Sequence, residues 1–349
     1  NPIKYSNNDT RYNELMNKII KKFKGGSLSS TVLMESYNGQ FFVRKSVSLK
    51  ENREYGFQRW YSQLKRIQRY SVLFPGLFPK LINFGKDKNQ AYMDIEYFNN
   101  AINAQEYIKS CKNKKDIDIF FDLLMKSINK MHKVKIDSSN NAIDLYLNEE
   151  VDQKLKDCLA DKKFSIFLKY DMIIFNGKKV KSFLHVLDKY KKMCLAHYAE
   201  NMETFTHGNI TLENILYIPQ EERVVFIDPY EENIVDSVLA EYSQLLQSSN
   251  AQYERYNSKN SIVHNNNIEL NLPRSFGLEH FNNRLVGYLN ENFSTNDYIM
   301  IKLFEVSQFV RMLPFKLAVD KNKMIFFYGL ASYLFHMLEE NNNIKKDIK

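Results

Sequence analysis

At 349 residues, with 44% hydrophobic and 14% aromatic side chains, the chain can bury a large core and has length enough for two lobes or domains. No window reaches the roughly 18 uninterrupted apolar residues of a membrane span, and "NPIKYSNNDTRYN" lacks the apolar run of a signal peptide, so no membrane partner and a cytoplasmic location are expected. The formal charge of +8 invites a nucleic-acid partner, but the lysines are scattered, and clusters such as "NKKD" and "NGKKVK" fall in polar, turn-like stretches that read as solvated surface.

In chain order, "RYNELMNKIIKKFKGG" spaces Leu15, Ile19, Ile20 and Phe23 as a helix does and stops at Gly25-Gly26, a C-terminal glycine signal. Asn38-Gly39 then sits between two β-prone runs, which predicts strands near 31–36 and 41–48 paired as a hairpin. "NREYGFQRWYSQLKRIQ" reads as an amphipathic helix with Phe57, Trp60, Leu64 and Ile67 on one side. "KLINFG" and "AYMDIEYF" flank the turn "KDKNQ" and predict a second hairpin. From residue 99 the pattern is mostly helical, with the hairpin 215–228 inserted. The expected organisation is α+β: a small β-rich domain over 1–98 and a large helical one over 99–349. Cys111, Cys158 and Cys194 are odd in number and widely spaced, which argues for inert thiols over a disulfide framework or a zinc site.

Four stretches carry chemistry. "GGSLSSTV" offers glycines for close backbone approach and the hydroxyls of Ser27, Ser29 and Ser30, groups able to cover phosphates. Strand alternation in "FFVRKSV" puts Phe41, Val43 and Lys45 on one face. A cation there calls for anions, and Glu51 or Glu54 in the next helix can pair with it while phosphates take its other side. In "THGNITLENILYIPQEERVVFIDPY", "ILYI" and "RVVFI" should pair antiparallel, so Asn214 entering the first strand lies beside Asp228 leaving the second. An amide oxygen and a carboxylate together form a hard oxygen site suited to Mg²⁺. His207-Gly208 precedes this site on a turn. The backbone of Glu96, Tyr97 and Phe98, at the end of the last strand of the first domain, can offer hydrogen bonds to an adenine edge.

These stretches, "GGSLSSTV", "FVRK", "YMDIEY", "THGNITLENILY" and "VVFIDPY", occur in the order and spacing of the aminoglycoside phosphotransferase and choline kinase-like family, which the chain resembles over about residues 20 to 250. The resemblance implies a bilobal protein-kinase-like fold with ATP bound between the lobes. It makes Gly26, Ser27, Ser29, Ser30, Lys45, Glu54 and the hinge Glu96 to Phe98 nucleotide-binding, Asn214 and Asp228 metal ligands, and His207 and Asn209 catalytic-loop residues. The implied activity is ATP- and Mg²⁺-dependent phosphoryl transfer to a hydroxyl of a small molecule, such as a sugar or an amino alcohol.

One position departs from the pattern. The family reads His-Gly-Asp where this chain has Asn209, and a carboxamide can align a hydroxyl but cannot take its proton. General-base assistance is worth about 10²–10⁴ in rate, yet phosphoryl transfer leans mainly on positioning and metal charge. Glu231, Glu232 or Asp236 could supply a substitute carboxylate. Downstream, where the family has an Asp-Leu-Ala helix start, the chain reads "SVLAEYSQLLQS", with Asp236 or Glu241 as stand-ins. The competing reading is a pseudokinase-like module that holds nucleotide, or a partner, without transfer. Glu241, Tyr242, Glu305 and Arg311 are candidates for the acceptor pocket, each also readable as a structural helix residue.

Overall fold

Alternating apolar residues in the first hundred positions build a five-stranded sheet. The computed structural model describes residues 17–23, 29–50, 53–136, 141–199, 203–230 and 233–347, and their side chains except at 53–55 and 343–347. Strands β1 (Lys18–Lys22), β2 (Ser29–Glu35), β3 (Phe41–Ser48), β4 (Leu81–Lys86) and β5 (Gln90–Glu96) lie in the order β1-β2-β3-β5-β4, every neighbouring pair antiparallel. The Asn38-Gly39 turn is where the sequence puts it, with Gly39 at φ +76°, the left-handed conformation glycine adopts at no steric cost.

Helix α1 (Arg53–Leu73) lies on one face of this sheet. Trp60, Leu64 and Ile67, at helical spacing, are buried with Val47, Leu49, Ala91, Met93 and Ile95 from β3 to β5 and the turns beside them. Each of the larger aliphatic side chains contributes on the order of 1.5–3 kcal/mol by leaving water. Lys45 belongs to this apolar face by alternation with Val43 and Val47. Arg44 points the other way, where it makes a two-pronged ion pair with Asp94 (2.7 and 2.8 Å) and stacks over Tyr92.

The first segment corrects the sequence reading. Lys18–Lys22 is a strand, not part of a helix, and pairs with β2 through a bulge between Ile19 and Lys21. "KIIKK" satisfies both periods over so short a span, and the open edge of β2 supplies a hydrogen-bond ladder that a lone helical turn lacks. The rest of that expected helix, Gly25 and Gly26 included, lies outside the described residues.

The chain's contacts divide it into two compact units. One comprises residues 1–104, 207–209 and 214–233; the other comprises 105–206, 210–213 and 234–349. The inserted hairpin, β9 (Ile215–Ile218) with β10 (Arg223–Phe226), groups with the sheet-bearing unit, whereas the sequence reading placed it in the second domain. There it pairs with the two-residue strand β6 (Ile102–Asn103), and Phe226 N–H bonds to Leu77 O (2.7 Å).

The second unit is helical around α2 (Lys114–His132), α3 (Val238–Ser249), α4 (Tyr253–Asn257), α5 (Phe276–Asn292), α6 (Thr295–Arg311), α7 (Leu313–Leu317) and α8 (Lys321–Asp347), with shorter helices between residues 142 and 197. It also carries a sheet that the sequence reading missed. Strands β7 (Met172–Phe175) and β8 (Lys178–Lys181) form a hairpin, and β11 (Ile262–His264) and β12 (Asn267–Glu269) form another, joined by parallel pairing of β12 with β7. Asn176 and Gly177 turn the first hairpin with φ 46° and 83°, the two left-handed residues of a tight two-residue connection. Cys158 and Cys194 are buried in this unit, and burial pushes their thiols up to about 11 and about 12, so both stay protonated and inert near neutral pH.

Candidate functional site: the His207 to Asp228 segment

The segment begins at Thr206 in the helical unit, where its hydroxyl donates to Asp236 Oδ1 (2.8 Å). Asp236, a suggested substitute base, is thereby tied to the strand-like stretch ahead of His207. Glu231 and Glu232 lie outside the described residues.

His207 is fully buried, its ring stacked on Phe78 (centroids 6.2 Å apart) and edge-on to Phe226. Its hydrogen bonds assign the tautomer: Nε2–H donates to Ile227 O (2.7 Å), and Nδ1 accepts the N–H of Asn209 (3.1 Å). With both nitrogens occupied in the neutral form, the imidazole acts as a staple. It fixes the Asn209 backbone against the end of β10. Arg66 of α1, itself buried, donates to the carbonyl of His207 (3.3 Å). Gly208 has φ +83°, and a Cβ there would lie 2.3 Å from both Tyr230 O and Asn233 Nδ2. Only glycine fits this turn.

What the turn presents is Asn209. Its side chain is exposed between buried neighbours, and its carbonyl accepts from Asn214 Nδ2 (2.8 Å). That bond fixes the orientation of the Asn214 amide and leaves Oδ1 as the atom of acceptor chemistry. On the partner strand Ile227 N–H bonds to Asn214 O (3.0 Å), so the hairpin ladder sets Asn214 opposite Ile227, one residue from Asp228. Asp228 has φ +56° immediately before Pro229, a left-handed conformation that a non-glycine residue adopts at a cost of about 1–3 kcal/mol and that recurs at functional sites.

Lys45 and Asp228 form an ion pair, with side chains 12% and 33% exposed. Burial pulls the Lys45 ammonium down to about 8. The pair joins β3 to the end of β10, two of the stretches that the sequence reading singled out. Among the described residues no cluster of three or more His, Cys, Asp or Glu side chains could hold a metal by itself. One carboxylate and one amide oxygen nonetheless suit Mg²⁺, which takes few protein ligands and completes its shell with water and substrate phosphate.

The other expected nucleotide contacts are dispersed. Ser29 and Ser30 are exposed at the start of β2, opposite Val47 and Ser46, and line a hollow of about 440 Å³ with Ser48, Lys50, Asn89 and Gln90. Gly26 and Ser27 lie outside the described residues, as does the side chain of Glu54. Over the expected hinge, Glu96 N–H bonds to Lys80 O (2.9 Å) and its carboxylate accepts Lys80 N–H (3.1 Å), while Phe98 O accepts the N–H of Ala101 (3.3 Å). Tyr97 packs its ring near Phe41, and Arg223 lies over the ring of Phe98.

In the helical unit every residue of α3 is buried, so its polar side chains must find partners inside. Gln244 Oε1 accepts the N–H of Ile210 (2.9 Å), and Ser248 Oγ, one turn later, accepts that of Leu212 (2.9 Å). Two side chains at i and i+4 thus hold the backbone between Asn209 and Asn214. The sequence reading singled out Asp236 and Glu241 at this helix start and did not name Gln244 or Ser248. Glu241 instead meets His132 in the core (3.3 Å), Tyr242 is buried, Glu305 accepts from Asn250 (2.7 Å), and Arg311 pairs with Glu150 (2.6 Å). All four former acceptor candidates are engaged in packing the helices.

No protein-family model matches the chain, and no curated protein matches it in sequence. Solved structures resemble it in fold. A candidate fructosamine-3-kinase from Haemophilus somnus 129PT superposes with a TM-score of 0.54 at 10% identity, covering 90% of each chain. An aminoglycoside-3'-phosphotransferase of type VIII aligns over 85% of this chain and 97% of its own, with a TM-score of 0.47 and 12% identity. The fold is therefore α+β and protein-kinase-like, a β-sheet region followed by a helical one. No helix among the described residues is long and apolar enough to cross a membrane.

Proposed function

We propose that the chain is a phosphotransferase that uses Mg²⁺ and ATP to phosphorylate a hydroxyl of a small molecule. The observation that carries this reading is the Lys45–Asp228 ion pair beside Asn214, because a β3 lysine and two oxygen ligands at a hairpin's open end are what a nucleoside triphosphate and its metal require. Asn214 and Asp228 would hold Mg²⁺, whose charge offsets that developing on the transferred phosphoryl group. Lys45 would orient the phosphates, exchanging its pairing with Asp228 for them. His207 and Gly208 set the backbone on which Asn209 aligns the acceptor hydroxyl. With no carboxylate at Asn209, the acceptor proton leaves late, to solvent or to the transferred phosphoryl oxygens, and turnover is slow. The likeness of the whole fold to a small-molecule kinase supports the reading.

A second reading, a nucleotide-holding module without transfer, is favoured by Asn209 alone. One experiment separates the two. The protein is incubated with Mg-ATP and pooled sugars and amino alcohols, and phosphorylated masses are sought alongside calorimetric titration with Mg-ATP. A new phosphorylated species supports the enzyme. Binding with no product leaves the module, and absence of binding overturns both.

A further inference from the structure

Ser248 does more than accept the N–H of Leu212. Its hydroxyl donates to Glu254 Oε1 at 2.6 Å, and the backbone N–H of Glu213 lies against the same carboxylate. Leu212–Asn214 is a single helical turn whose last residue is Asn214. The first two amides of such a turn have no partner within it, and here Ser248 and Glu254 supply both.

We propose that Glu254 is a positioning residue for phosphoryl transfer: through Ser248 and the amide of Glu213 it sets the turn that delivers Asn214. This rests on the reading of Asn214 as a metal ligand. The ionised carboxylate accepts from Ser248 O–H and Glu213 N–H together. Once protonated, the carboxyl loses its charge and accepts more weakly, which loosens its hold on both Ser248 O–H and the Glu213 amide. Burial pushes the Glu254 carboxyl up to about 7, so the two forms exchange near neutral pH.

The charges around it do not remove this sensitivity. Glu213 pushes the carboxyl further up, and Lys316 of α7 acts on Glu213 while donating to Tyr253 Oη (3.2 Å) and Asn257 Oδ1 (2.8 Å). Lys323 of α8 donates to Asn257 O, and Arg255 is turned to Gln252 and Pro273 O. From α3 the group that meets it is the uncharged Ser248. A bystander that merely packs α4 would affect stability and ligand affinity in the same direction. Glu254 should affect them oppositely, because its buried charge costs stability while its hydrogen bonds order the turn.

The test compares Glu254→Gln, a mimic of the protonated form, with the parent. Calorimetric Mg-ATP affinity is measured from pH 6 to pH 8, and the thermal midpoint at pH 8. The variant should bind equally at pH 6 and roughly three- to tenfold more weakly at pH 8, the value of one lost hydrogen bond, with a midpoint no lower than the parent's. Ser248→Ala should show the same growing deficit. A variant-to-parent affinity ratio that stays flat with pH, or a loss of affinity and midpoint together, overturns the proposal. If the parent binds no Mg-ATP at any pH, the phosphotransferase reading fails separately. Amide exchange then decides the role of Glu254: faster exchange at Leu212 and Glu213 in Glu254→Gln at pH 8 supports it, and unchanged exchange refutes it.

Discussion

Asn209 offers a carboxamide to solvent from a backbone fixed by His207 on one side and Asn214 on the other, so its scaffold is intact and only its basicity is missing. Asn209→Asp should therefore raise turnover with the right acceptor by about 10²–10⁴ while leaving Mg-ATP affinity nearly unchanged. Steady-state rates beside calorimetry check this, and an unchanged rate would mean that another group already takes the proton. Lys45 makes a prediction about protons. Its ammonium is held near 8 in the free protein, and phosphates arriving beside it favour the charged form. At pH 8 binding of ATP should draw in up to about half a proton, read from binding enthalpies in two buffers. Lys45→Met should lose that uptake and should lose affinity for ATP far more than for adenosine. Equal losses for both ligands would instead mark a defect of the sheet. The stability sign follows from the same shift: the unfolded lysine holds its proton to higher pH, so the Lys45 contribution rises with pH between about 8 and 10.5.

At the scale of elements, the two glycines Gly208 and Gly287 predict opposite outcomes. Gly208→Ala forces a Cβ onto Tyr230 O and Asn233 Nδ2 at φ +83° and should destabilise by at least about 1–3 kcal/mol, loosening the turn that carries Asn209. Gly287, inside α5 with nothing within 4 Å of its would-be Cβ, should gain about 0.5–1 kcal/mol as alanine. Denaturant titration of both variants tests the contrast. The elements legible in the sequence were those with a strong period or a turn signal: the Asn38-Gly39 hairpin, α1 with Trp60, Leu64 and Ile67, and the 215–226 hairpin. Lys18–Lys22 was misread because five residues cannot distinguish a helix from a strand whose stability comes from a neighbour's edge. β7 and β8 were overlooked although "MIIFNGKKVK" contains an Asn-Gly turn, since three lysines on the second strand disguise it as solvated loop. Those lysines suit an edge strand, where charge discourages further pairing. In the candidate site, the approach of Asn214 to the end of β10 was readable from the hairpin pattern. Gln244 and Ser248 were not, because their role comes from the complete burial of α3, a property that polar residues in a sequence conceal.

For the whole molecule, every group assigned here to phosphate or metal lies in the sheet-bearing unit, although the chain reaches them from residue 45 to residue 228. Mg-ATP should accordingly slow amide exchange most in 41–48 and 214–228, measured by mass spectrometry. Protection confined to the helical unit would contradict the site. The same division has a consequence for synthesis. The chain leaves the sheet-bearing unit at Ala104 and does not finish supplying it until Asn233. On a ribosome that is a wait of roughly 130 residues, on the order of ten seconds, during which the unit lacks β9, β10 and the stretch around His207. A nascent chain halted after residue 104 would carry Lys45 on an apolar face without its counter-ion. The N-terminal third is thus a poor candidate for expression as a fragment, and its maturation must be coupled to that of the segment that follows it.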